Sequence, residues 1–273
     1  MESQRFSYLA ASVAELESYV QALSNCFEPP ALVTVGERPV FRYAGTGDQL
    51  LVMLKSVWAV RILNAALVLL RAGYVHEVYA LCRLVDEAHQ DITFMASPLG
   101  EDGKPTEDQQ RYFGEFFQEE FEDESSLLTS QKPRDRVSRR HIRAAIAQMK
   151  DHPGNPSDVI AVDKTLYQTI SGYVHGAYVH IMESYGGQPP GHFHTQGMLG
   201  TPKIQECEDM LVNYVFRSIC SAEVVAIRLH HDELRNRIRD LRNRFGKETG
   251  CVVKDATEAK ATMDRMKGKG KPA

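Results

Sequence analysis

The sequence predicts an all-α protein, a bundle of about six or seven helices, and three observations carry that reading. Apolar residues recur at spacings of three and four along most of the chain. Gly and Pro cluster between those stretches, at DHPGNP and QPPGHFHTQGMLGTP for example, while Ile204 to Phe245 contains neither. The periodic part is read as one domain over 1–246, with its core over 49–225, and the Lys-rich end 247–273 as a disordered basic tail.

Composition narrows the function classes. With 273 residues the chain can bury a large core, and 43% hydrophobic and 25% charged residues exclude wholesale disorder. A formal charge of −4 gives no global attraction to nucleic acid or anionic lipid, so any charged partner must be met locally. Five scattered cysteines without a C-x-x-C suggest reduced thiols in a cytoplasmic protein. The N-terminus lacks a secretory pattern. The apolar run Leu50 to Leu70 carries Lys55, Arg61 and Asn64, which fits a helix buried in protein better than one in lipid, so no membrane partner is expected.

Taken in order, Leu9, Val13, Leu16, Val20, Leu23 and Phe27 place one apolar seam on a helix over 4–27, stopped by Pro29 and Pro30. Residues 32–43 switch to β-branched and aromatic types around GERP, which suits either a short β-hairpin or an extended loop. Asp48 is placed to cap a nearly all-apolar helix over 49–71. Gly73 then turns the chain into a helix over 73–96. These two should form an antiparallel pair, with Arg61 and Asn64 facing a polar stripe of His76, Ala80, Arg83 and Glu87. Pro105 and Thr106 introduce a helix with an aromatic face (Tyr112, Phe113, Phe116, Phe117, Phe121) and an acidic face. A basic block from Lys132 to Arg143 follows, read as a solvated face or a nucleic-acid face, with a short helix over 141–150.

Ser157 or Asp163 caps a helix expected to continue through Tyr185, and residues 188–202 form a loop able to cover its end. On that helix Tyr167, Ser171 and His175 share one flank, while Gly172 and Gly176 would let a neighbour approach closely. Ile204 to Phe245 reads as one long helix of about 60 Å at 1.5 Å per residue, whose second half carries an arginine-bordered seam that seeks a partner helix, hence an expected homodimer.

The strongest candidate chemistry joins two helices. Glu87 would orient His175 as general base or acid beside Ser171, and Arg83 would hold an anion. Tyr167, Arg61, Asn64 and His76 complete a ligand-binding set. The competing reading is a buried hydrogen-bonded network that fixes helix register. His192-x-His194 lacks a completing ligand, so no metal or cofactor is expected.

The Arg83-x-x-x-Glu87 helix followed by Tyr167-x-x-x-Ser171-x-x-x-His175 resembles an uncharacterised bacterial all-helical family distantly related to the HEPN superfamily. That resemblance implies a helical bundle that binds RNA or another phosphate-bearing small molecule in stress or phage defence. HEPN ribonucleases cut RNA without metal, using R-x(4–6)-H on one helix, commonly paired across a dimer; Arg136 to His141 has that literal spacing. The function expected from the sequence is therefore phosphate-ligand binding, with metal-independent RNA cleavage as its catalytic form. The alternatives are a non-catalytic interaction or regulatory protein acting through its C-terminal helix, and a sensor using a cavity between helices.

Overall fold

The computed structural model describes residues 3–35, 38–96, 98–100, 103–119, 135–149, 155–186 and 191–252. Among them are nine helices and one two-stranded antiparallel hairpin. Helix α1 (Gln4–Ser24) is capped by Ser3, whose hydroxyl accepts from the Phe6 N–H, and it buries Leu9, Val13, Leu16 and Leu23, the seam its spacing predicts. The hairpin reading of 32–43 holds. Strand β1 (Ala31–Val35) pairs with β2 (Arg38–Arg42) in a register that sets Val33 against Val40.

Helix α2 (Asp48–Arg71) is the axis of the molecule, packed on α1 and on two helices that follow, α3 (Val75–Ala96) and α8 (Lys203–Arg228). Its cap is Gly47; Asp48 is the first helical residue, accepting from the Gln49 N–H and pairing with Arg228. Both α2 and α8 are long and apolar enough to span a bilayer by length and composition, and each lies largely buried in the bundle. Gly73, at φ 86°, makes the turn from α2 to α3, and its carbonyl accepts from the Met198 N–H at 2.8 Å. The 191–202 loop therefore seats on this turn rather than only on the helix before it.

Helix α4 (Glu107–Phe116) starts from a capping box between Thr106 and Gln109. Helix α5 (Arg139–Ala147) is capped by Ser138. Phe121, the acidic residues 120–124, Lys132 and Arg134 lie outside the described residues, as does 253–273.

Two expectations about helix length are corrected. The segment expected as one helix through Tyr185 is α6 (Pro156–Val174), capped by Asn155 rather than Ser157 or Asp163, and a separate α7 (Tyr178–Glu183). Gly176 at φ 58° breaks it, and α7 folds back so that the His180 ring lies against Gly172, where a Cβ would collide with it. The close approach foreseen for these glycines is thus made by the same chain.

The second correction is at the C-terminus. The long helix is α8 and α9 (Asp232–Thr249), reversed at His230 with φ 55°. The expected seam of Leu234, Ile238, Leu241 and Phe245 is buried, with α8 and α1 of the same chain as its partners. Glu223 of α8 accepts from Arg239 at 3.0 Å and Arg242 at 2.5 Å across the hairpin. Helix α9 runs three residues past Gly246, ending at Gly250 in the left-handed region.

Candidate functional site

The polar stripe on α3 is set by sequence spacing, and what it meets is set by α2, α5 and α6. Asp91, 1% exposed, is held by Lys55 of α2 at 2.8 Å and by the Arg139 guanidinium of α5, which reaches both carboxylate oxygens. Arg139 also donates to the Glu87 carbonyl at 3.3 Å. Burial opposes its charge, but Asp91 and then Glu87 outweigh that and raise its pKa. Lys55 lies 5.6 Å from the ring centre of Tyr112, whose phenol is pushed well up by burial and by Asp91.

One turn earlier, Glu87 accepts from Arg83 Nε at 3.1 Å. Arg83 donates through Nη2 to the Tyr167 hydroxyl at 2.5 Å, and its Nη1 stands 3.5 Å from Ser171 Oγ. The expected association of Arg83, Glu87, Tyr167 and Ser171 is therefore present. A residue outside the expected site joins it: Arg143 of α5 lies 4.6 Å from the Tyr167 ring centre, as Arg83 does at 4.4 Å. The Arg143 Nη1 is buried and has no hydrogen-bond partner among the described residues. Along this string of contacts the cations Lys55, Arg83, Arg139 and Arg143 face the carboxylates Glu87 and Asp91, so positive charge is in excess.

The other expected members lie elsewhere. His175 is the C-cap of α6; its backbone N–H reaches the Ser171 carbonyl, while its ring is exposed and contacts neither Glu87 nor Arg83. The reason is the break after Val174, which takes His175 off the helical flank that Tyr167 and Ser171 share. Arg61 is exposed on α2 beside Trp58, and Asn64 donates to Glu17 of α1 at 3.0 Å, so both face away from the Arg83 stripe. Asn64 meets α1 rather than α3, and Arg61 in the same sector faces solvent.

His76 belongs to a different cluster at the start of α3. Its Nε2 is 3.8 Å from Glu183 Oε2, and burial lowers its pKa. Tyr173 donates to the same carboxylate at 2.9 Å, and His180 packs on the Tyr173 ring at 3.9 Å between centres. The literal Arg136 to His141 motif does not share one helix either. Arg136 precedes the cap of α5 and lies 3.6 Å from Glu115, while His141 lies 3.6 Å from Asp108. His192 and His194 pack ring against ring, 4.6 Å between centres, in the 191–202 loop.

Sequence reasoning missed Arg139, Arg143 and Asp91 as site residues. A signal existed for Asp91 and Lys55, since each is a charge on an otherwise apolar helix face that demands a partner. For the arginines there was none, because a basic block reads the same whether solvated or folded against a neighbour. Compared with known proteins, the chain matches no family model, no curated protein and no solved structure.

Proposed function

We propose that this protein binds a phosphate-bearing ligand, RNA or a nucleotide, where α5 and α6 cross α3. The reading rests on Arg143, a guanidinium with one buried nitrogen unpartnered among the described residues, set beside Arg83 on a shared tyrosine ring. Guanidinium groups in such a setting lose hydration without gaining an acceptor, and a phosphate oxygen supplies one. Exposed Arg136 and Arg140 extend positive charge outward along the same segment. Tyr167 offers a ring for stacking as well as a hydroxyl.

The reading is of binding, not cleavage. General acid–base attack on RNA needs a titratable group within hydrogen-bond reach of the reacting oxygen, and the ring of His175 does not join Arg83. The resemblance to HEPN-type proteins thus enters the proposal through phosphate recognition alone.

Fluorescence anisotropy with a single-stranded RNA oligonucleotide and with ATP, across a salt series, tests the proposal. Arg143→Ala should weaken binding about tenfold and reduce the salt slope by about one. Arg61→Ala, distant from the site, should leave both unchanged. Equal losses for the two variants, or no binding at low salt, would refute the reading.

A further inference from the structure

A cleft of about 580 Å³ opens between α3, α6, α8 and the C-terminal end of α9, and none of Arg83, Glu87, Arg143 or Tyr167 lines it. Its walls are apolar, formed by Val159, Leu166, Val212 and Phe216. Pockets of that size and character take small organic molecules.

The charges around the cleft balance among the described residues, with Arg5 and Arg217 set against Asp163 and Asp209. They are also matched in place. Arg5 pairs with Asp209 at the rim, and Arg217 is held by Asp86, with Asp163 near enough to favour its charge as well. His89 brings no further charge at neutral pH, because burial, aided by Arg217, lowers its pKa to about 4. An ionic ligand would therefore lose its hydration here without gaining a free counter-charge.

Most of the uncharged polar groups are already engaged. Thr93 donates its hydroxyl to the His89 carbonyl at 2.9 Å, while Asn213 donates to the Asp209 carbonyl at 3.3 Å and accepts from the Cys251 thiol. Gln90 differs. Only 6% exposed, it donates through Nε2 to Asp86 at 2.9 Å. A carboxylate only accepts, so the amide cannot be reversed, and its Oε1 is left buried without a partner among the described residues. The terminal torsion of a glutamine side chain is soft, so Oε1 turns toward a donor entering the cleft at little cost. Apolar walls, balanced charge and an unpaired acceptor together call for a ligand with a donor and no charge.

We propose that this cleft is a second binding site, for a small neutral aromatic molecule carrying one N–H or O–H donor. The donor bonds Gln90 Oε1, and the ring lies against Leu166 and Phe216. Selectivity resides in the donor, because a ligand without one seals the acceptor away from water and leaves it unpaired.

Isothermal titration calorimetry on the full chain tests this with indole, 1-methylindole, benzamidine and benzoate. Indole should bind at least about tenfold more tightly than 1-methylindole, although the methyl group adds apolar surface, and more tightly than either charged probe. Gln90→Leu removes the acceptor and should bring the two indoles to within about twofold of each other, which separates a lost hydrogen bond from a steric effect of the methyl group. If Gln90→Leu does not fold, Leu166→Trp, which fills the cleft from its half-buried wall, should weaken indole about tenfold. Four results would overturn the proposal: no indole binding up to roughly 10 mM, 1-methylindole or a charged probe binding the native chain as tightly as indole, an indole preference that survives in folded Gln90→Leu, or undiminished indole binding in folded Leu166→Trp.

Discussion

Two residues apart on α3, His89 and Asp91 are met by different surroundings. Lys55 and Arg139 both reach the Asp91 carboxylate, whereas burial, aided by the charge of Arg217, keeps the His89 ring neutral. The sign for His89 follows directly. Its folded pKa lies near 4, below the ordinary value of 6.5, so between those two pH values the unfolded chain binds the extra proton. Stability contributed by the neutral ring is complete above about pH 6.5 and declines as pH falls toward 4, by on the order of 2–3 kcal/mol. Urea titrations at pH 7.5 and 5 should therefore show a larger loss for the native chain than for His89→Asn. Equal losses would mean the ring is not held neutral. None of this was legible at residue level in the sequence, where His89 is one histidine among ten. The Arg83, Glu87, Tyr167 and Ser171 association was legible, because helical spacing alone aligns such groups on facing flanks.

Helix α9 illustrates what an element needs from its neighbours. Its seam was readable, but periodicity does not say whether the partner lies in another chain or in the preceding turn of the same one. The partner is α8, and His230 accepts a left-handed conformation that costs a non-glycine residue about 1–2 kcal/mol to make the reversal. The burial of Leu234, Ile238, Leu241 and Phe245 and the double acceptance by Glu223 exceed that cost. Truncation after Leu229 should consequently do more than remove a surface: it opens the core against α1 and α8. The truncated chain should lose its cooperative thermal transition and bind a hydrophobic dye. A sharp transition retained at the same temperature would show α9 to be an appendage. The break between α6 and α7 has the same origin, since no rule of local pattern distinguishes Gly176 as a reversal from Gly114, which sits inside α4.

At the scale of the whole molecule, one hydrophobic cluster runs from Phe6 of α1 through α2 and α3 to Phe245 of α9, so both ends of the chain contribute to the same core. Tyr8 stacks on Phe245 at 5.6 Å between ring centres, tying the first helix to the last. Such continuity predicts a single unfolding transition for the bundle. Leu16→Ala and Phe245→Ala, at opposite ends of the sequence, should each cost about 3–4 kcal/mol and shift one common calorimetric peak. Two separable peaks, with only one moved by each variant, would divide the chain into independent units.

The sequence by itself determined the helical class, the placement of α1 to α5 within a few residues, and the polar character of the α3 stripe, and it narrowed residues 32–43 to a hairpin or an extended loop. These follow from local rules: helical periodicity, capping residues and chain breakers act over a few neighbouring positions. Tertiary structure decided where the later helices reverse, which side of α2 Arg61 and Asn64 face, and that Arg143 rather than His175 completes the Arg83 cluster. Those outcomes depend on which distant surface offers enough apolar area to outweigh backbone strain, and which opposite charge is within reach once the helices have packed.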